Sequence, residues 1–242
     1  MKKRIDLYGD DLGCVEYVEH MGSDLTVVNS ARVSFGKHKE ELDDRDRNLI
    51  SYLIKHRHTS TLEHNVVTFR FCVPLFVRSQ HHRHRTWSYN EISRRYTEMG
   101  IRFYTPAAFR TQHKSNRQAS NQEELIDPDI GCYVPGTNKL YKSKASKAFQ
   151  VHSKDSLALY NKLIDAGVCR EQARGILPQN MYTEYYGTCN LNNLFKFIDL
   201  RTHEGAQWEI QKVAEACLEI SRSLWPITVG AYQEIKSQLP HA

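Results

Sequence analysis

Residues 81–96, HHRHRTWSYNEISRRY, hold four arginines and three histidines against a single acid, Glu91. So many cationic groups in one stretch repel each other, so an anion must offset them. Nucleic acid, a nucleotide, a phosphate-bearing cofactor or acidic residues from elsewhere in the chain would each serve. Arg83 and Arg85 offer planar forks that match phosphate oxygens two at a time. Ser88, Asn90, Glu91 and Ser93 add directional donors and acceptors, and a phosphate–sugar–base molecule needs that mixture.

Three other readings compete. His81, His82 and His84 invite a metal, but the alternating Arg83 and Arg85 would repel a dication, so no metal is expected. Trp87, Tyr89 and Tyr96 could stack on bases between the arginines, as in a non-catalytic single-strand nucleic-acid-binding protein. Against that, no known nucleic-acid motif accompanies the stretch and the other basic residues are dispersed. The plainest reading is an arginine-rich turn salted to acidic neighbours. On it, Ser93 caps a turn, Glu91 answers Arg94 or Arg95, Arg174 pairs with Glu171, and Arg201 complements a helix C-terminus.

The elements that must position these residues follow from periodicity. Residues 23–35 begin with a Ser-Asp cap signal and read as a helix. In 41–58, Leu42, Leu49, Ile50, Leu53 and Ile54 form a helical stripe. Val67, Phe69, Phe71 and Val73 alternate along a strand at 65–74, and Pro74 opens a short helix running to 82. Residues 109–145 are polar and aperiodic, and read as a long surface loop or lid. Helical patterns return at 146–166, 168–176, 190–201 and 205–224, the last with Ala206, Ile210, Val213, Cys217, Ile220 and Leu224 as its core stripe. The fold class expected is α+β, one domain over 1–242 with a small, mainly antiparallel sheet flanked by helices.

Composition narrows the class. The 242 residues carry a net charge of only +5, so the basic stretch is local. No signal-peptide pattern or membrane-length apolar run occurs, and no membrane partner is expected. The six cysteines are scattered without a CxxC pair, which fits reduced thiols in a cytoplasmic protein.

RHRTWSYNEISRRY (83–96) resembles the RHR, seven residues, Ser signature of flavin-dependent thymidylate synthases, with the Asn-Glu-x-Ser-x-Arg-Tyr that usually follows. The segments 58–80, 170–201 and 206–211 resemble the same family, and 109–145 fits least well. The resemblance implies reductive methylation of dUMP to dTMP, with 5,10-methylenetetrahydrofolate as carbon donor, NAD(P)H as reductant and FAD as hydride carrier. It implies that Arg83, His84 and Arg85 hold FAD, that His58 and Ser60 lie beside the flavin, and that Glu91, Asn190, Asn192 and Lys196 belong to the flavin set. Gln80, Arg83, Glu91, Ser93, Arg95 and Arg174 would surround dUMP. Arg201 would face the pyrimidine as the catalytic cation that favours ionisation at N3. It further implies a homotetramer with active sites shared between subunits.

Three residues depart from the family pattern. Asn192 stands where an arginine is common, Lys196 where a neutral polar residue is usual, and Gly205 where a histidine often precedes Ala-Gln. The Pro-Cys-His nucleophile motif of the other thymidylate synthase class is absent, so no cysteine is expected to attack the substrate.

Overall fold

The computed structural model describes residues 3–98, 100–117, 119–133 and 136–238. Its centre is an antiparallel sheet of five strands in the order β1 (Arg4–Asp6), β2 (Cys14–Met21), β3 (Val66–Pro74), β9 (Tyr182–Asn190) and β4 (Ser88–Glu91). Strand β3 behaves as its alternation requires. Val67, Phe69, Phe71 and Val73 are fully buried against the helices, while Arg70 on the other face pairs with Glu16 and Glu184 of the flanking strands. Nine successive pairs, Val66 with Asn190 through Pro74 with Tyr182, lock β3 to β9 without a bulge.

Helices pack on the buried face. α1 (Asp24–Arg32) and α2 (Asp44–Lys55) match the two N-terminal predictions to within a few residues. Asp43 caps α2 in a reciprocal capping box with Asp46, whose buried carboxylate also takes Arg32 and Lys39. Leu42 departs from the predicted stripe: it precedes the helix and is exposed, while Ile50 and Leu53 are buried. α7 (Trp208–Leu224) buries Ile210, Val213, Cys217 and Ile220 as its stripe predicts, beside α6 (Leu191–Arg201) and α8 (Pro226–Gln238).

The segment 109–145 is exposed and polar, as its composition requires, but it is not a structureless loop. It folds as two hairpins, β5 (Phe109–Gln112) with β6 (Ser120–Ile126) and β7 (Asp129–Tyr133) with β8 (Leu140–Lys144). Both faces meet mostly solvent, so no alternation marks the strands. Gln118, Val134 and Pro135 lie outside the described residues. The second hairpin leads into the 21-residue helix α4 (Ala145–Asp165), followed by the short α5 (Arg170–Ala173).

Candidate active site

The basic stretch begins in α3 (Leu75–His81), which follows β3 directly, and turns back through 82–87 into β4. Three side chains anchor that turn. His81 is fully buried, its Nδ1 2.8 Å from the Tyr185 hydroxyl of β9. Trp87 is buried beside Phe71 and Phe197, and the Tyr89 hydroxyl donates to the His81 and His84 carbonyls at 2.9 and 3.1 Å. Gly187, opposite Tyr89 on β9, makes the packing possible: a Cβ there would lie 2.9 Å from the Phe71 ring and 3.3 Å from Trp87. With the aromatics turned inward, Arg83 and Arg85 are left pointing to solvent. Of the three rings that could have stacked on bases, Trp87 is buried and Tyr89 half-buried; Tyr96 is exposed.

Arg201 reaches this turn from the last position of α6. Its Nε–H donates to His84 Nε2 at 3.0 Å and an Nη–H donates to the Gln80 carbonyl at 3.1 Å. Phe197, one turn earlier on the same face of α6, packs edge-on to the His84 ring at 4.9 Å. Burial and the Arg201 charge push the His84 imidazole down to about 4, so it is neutral at physiological pH. Burial holds His81 well below the usual histidine range too. The three histidines have separate jobs: His81 binds Tyr185, His82 lies against the Tyr89 ring, and His84 accepts from Arg201.

Gln80 ties the site to α7. Its amide donates to Gln207 Oε1, and Gln207 Nε2 donates onward to Glu209 Oε2 at 2.8 Å. Arg95 is exposed over the Tyr96 ring, and Ser93 accepts its backbone N–H at 3.3 Å, as a turn cap would. The Arg170–Glu98 ion pair, 3.5 Å, brings this loop beside α5, at whose end Arg174 stands exposed. Arg95 and Arg174 therefore sit on adjoining elements. Arg83, Arg85, Arg95, Arg174, Lys196 and Arg201 form no ion pair with any carboxylate among the described residues, although sixteen ion pairs occur elsewhere. No carboxylate among the described residues answers these side chains as the self-neutralised turn required, although Arg201 does end α6, where its charge complements the helix C-terminus.

Several expected ligand residues are already engaged within the chain. Glu91 answers neither Arg94 nor Arg95 with an ion pair. Its Oε1 accepts from the Thr183 hydroxyl at 2.7 Å and lies 3.1 Å from Arg78 Nε. Asn190 caps α6 by accepting the Asn193 N–H at 2.9 Å. Asn192, expected on the flavin side, is buried and donates to Glu63 Oε1 at 2.9 Å. His58 and Ser60 stand exposed around the 3-10 turn Thr59–Leu62, the His58 ring stacked on Tyr52 at 5.8 Å. Sequence reasoning missed Arg78, Thr183, Gln207 and Glu209. Gln207 and Glu209 lay within the quoted segment 206–211, but nothing local betrays partners so distant in the chain.

Guanidiniums without carboxylate partners, on and near a rigid aromatic turn, suit a phosphate-bearing anion. Residues 16–227 match the model of the family described as thymidylate synthase complementing protein. A flavin-dependent thymidylate synthase of Thermus thermophilus is 40% identical over 224 residues, spanning 93% of this chain and 77% of that one. The chain belongs to the flavin-dependent thymidylate synthase family. Another member, from Thermotoga neapolitana, is 37% identical and aligned over 92% of this chain and 91% of its own length. The fold agrees with a solved member-like structure, the UMP/dUMP methylase PolB from Streptomyces cacaoi bound with 5-Br dUMP. The two share 34% identity with a TM-score of 0.75, over 95% of this chain and 97% of that one. Within this family frame, Arg83, His84 and Arg85 are the RHR motif and Ser93 is its closing serine.

Proposed function

We propose that this chain is a flavin-dependent thymidylate synthase that converts dUMP to dTMP, taking the carbon from 5,10-methylenetetrahydrofolate and reducing equivalents from NAD(P)H. One observation carries the reading: the guanidiniums at 83, 85, 95, 174 and 201 have no carboxylate partner among the described residues, and Arg201 reaches the turn that carries Arg83 and Arg85. That donor set fits a dinucleotide cofactor, whose two phosphates need forked donors. Arg83 and Arg85 would hold FAD together with His58, Ser60 and Lys196, and FAD would supply the hydride that completes the new methyl group. Arg95 and Arg174 bind the dUMP phosphate, with Gln80 and Ser93 beside the nucleotide. Arg201 stabilises negative charge that develops on the pyrimidine, so no covalent nucleophile is required.

One chain leaves Arg83, Arg85, Arg95 and Arg174 exposed. Phe35, Val33 and Met21 are also exposed, at 79%, 69% and 61%. Both features support a homotetramer in which neighbouring subunits wall the site. Residues 1–242 act as one domain, with the hairpins of 109–145 as a movable flap. Among the described residues no helix is long and apolar enough to cross a membrane. The substrates point to a cytoplasmic enzyme. The single-strand nucleic-acid reading loses most of its stacking platform, because Trp87 is buried in the core and Tyr89 half-buried, which leaves Tyr96 alone exposed of the three.

The deciding experiment is anaerobic turnover of dUMP, methylenetetrahydrofolate and NADPH with added FAD, followed by analysis for dTMP, with UMP as a second acceptor. Formation of dTMP with bleaching of the yellow protein is the expected result. A colourless protein that makes no dTMP and binds oligonucleotides with steep salt dependence would reject it.

A further inference from the structure

We propose that His84 is a positioning residue: by accepting the Arg201 Nε–H it aims the guanidinium at the pyrimidine ring. This rests on the thymidylate synthase reading above and gives the motif histidine a task other than holding flavin. Arginine has five donors and no acceptor, so the 3.0 Å contact requires a neutral imidazole with its proton on Nδ1. The second holder, the Gln80 carbonyl at 3.1 Å, is also uncharged. The guanidinium is therefore oriented at two points and neutralised at neither. A carboxylate in either place would fix Arg201 equally well but would cancel the charge meant for the substrate.

The surroundings keep the imidazole in that role. Arg201 faces it from α6, His81 lies 6.2 Å away in α3, Arg83 precedes it in the turn, and Tyr89 of β4 holds its carbonyl. None of these is a carboxylic acid, and the Arg201 charge disfavours a second proton. The Phe197 edge fixes the ring plane from the same helix that carries Arg201. Protonating His84 would both break the bond and set two cations against each other.

The test compares His84→Ala, His84→Gln, Arg201→Ala and the double variant His84→Ala/Arg201→Ala, each reconstituted with FAD. His84→Ala should lower kcat roughly 10- to 100-fold. KM for dUMP should stay within about threefold, and flavin occupancy by absorbance should be unchanged. Gln places an amide oxygen near the Nε2 position, so His84→Gln should recover much of the rate. Adding His84→Ala to Arg201→Ala should cost nothing further, since a residue acting through Arg201 has nothing left to orient. A readout independent of turnover is the nitrogen NMR titration of His84 in the flavin-free and flavin-bound protein. The wild type should show the Nδ1-protonated tautomer, and Arg201→Ala should raise the histidine's titration point. Additive losses, a fall in flavin occupancy, or a His84 titration indifferent to Arg201→Ala would each overturn the proposal. If no variant, nor the parent, makes dTMP, the enzyme reading fails while the NMR arm still judges the His84–Arg201 bond. If His84→Ala does not fold, His84→Gln and the titration decide.

Discussion

Arg110 of the first hairpin and Glu209 at the start of α7 meet across 99 residues of chain, one Nη reaching both carboxylate oxygens at 2.7 and 2.9 Å. Glu209 is almost fully buried and also accepts from the Tyr104 hydroxyl at 3.2 Å and from Gln207. The Arg110 guanidinium lies over the Trp208 ring as well. Through Gln207 and Gln80, the hairpin that fits the family pattern least is wired to the turn that fits it best.

Removing Arg110 would leave the Glu209 carboxylate buried with only neutral donors. Arg110→Ala should therefore lose about 2–4 kcal/mol of unfolding free energy, read from urea denaturation. Arg110→Met combined with Glu209→Met should lose less, because no buried charge remains unpaired. A loss for Arg110→Ala below about 0.5 kcal/mol would mark the pair as equivalent to a surface ion pair.

The arginines of the site should separate by kinetics. On the proposed assignment, Arg174 holds a phosphate remote from the reacting carbon, bound alike in ground and transition states. Arg174→Ala should raise KM for dUMP about 10- to 150-fold and leave kcat nearly intact. In the proposed role Arg201 meets charge that grows during reaction, so Arg201→Ala should lower kcat even at saturating dUMP. Arg201→Lys keeps charge without the planar fork and should restore only part of it. The opposite pattern, KM for Arg201 and kcat for Arg174, would reverse the two assignments.

Stability should fall on mild acidification. His84 is pushed down to about 4, and burial holds His81 well below the usual histidine range, whereas both titrate near 6.5 once unfolded. The unfolded chain then binds more protons, so the stabilisation is complete above pH 6.5 and is lost as pH falls toward 4. Urea midpoints between pH 7 and 4.5 measure this, and His84→Gln should show a shallower decline. Identical slopes for parent and variant would remove His84 from the effect.

Cysteine chemistry should be dispensable. Burial holds Cys189 and Cys217 above the ordinary thiol range, and Cys14 and Cys72 are buried between β2 and β3. Cys169 is exposed and Cys132 half-exposed. Each Cys→Ser variant should keep dTMP synthesis within about tenfold of the parent, with losses traceable to packing. One folded, flavin-loaded Cys→Ser variant with no turnover would contradict a mechanism without a nucleophile.

What could be read from sequence was what repeats locally. Val67, Phe69, Phe71 and Val73 announced β3, and the stripe from Ile210 to Ile220 announced α7, because one face of each is apolar and the other is not. The motif residues 83–96 mark the candidate site for a similar reason: their chemistry is contiguous. Contacts spanning the chain left no such trace. Asn192 finds Glu63 across 129 residues, and Glu91 finds Thr183 across 92. Helix α8 was missed because Pro226, Thr228, Val229 and Gly230 are poor helix formers. Its first turn is satisfied from afar, by Asp24 accepting the Ile227 and Thr228 N–H groups at 3.1 and 2.8 Å. Strand β4 is four residues long, with no position fully buried, too little for an alternation to register.

That short strand is also an open margin of the central sheet, paired to β9 on one side only among the described residues. A bare strand edge invites a second polypeptide to add its own strand and start a growing stack. Here the margin is bracketed by Arg83 and Arg85 before it and Arg95 after it, all turned to solvent. Any copy of the same chain approaching edge-on would bring the same charges against them. The cations proposed to hold a nucleotide thus also place like charges along this edge, so replacing them with neutral residues should expose it to edge-on pairing.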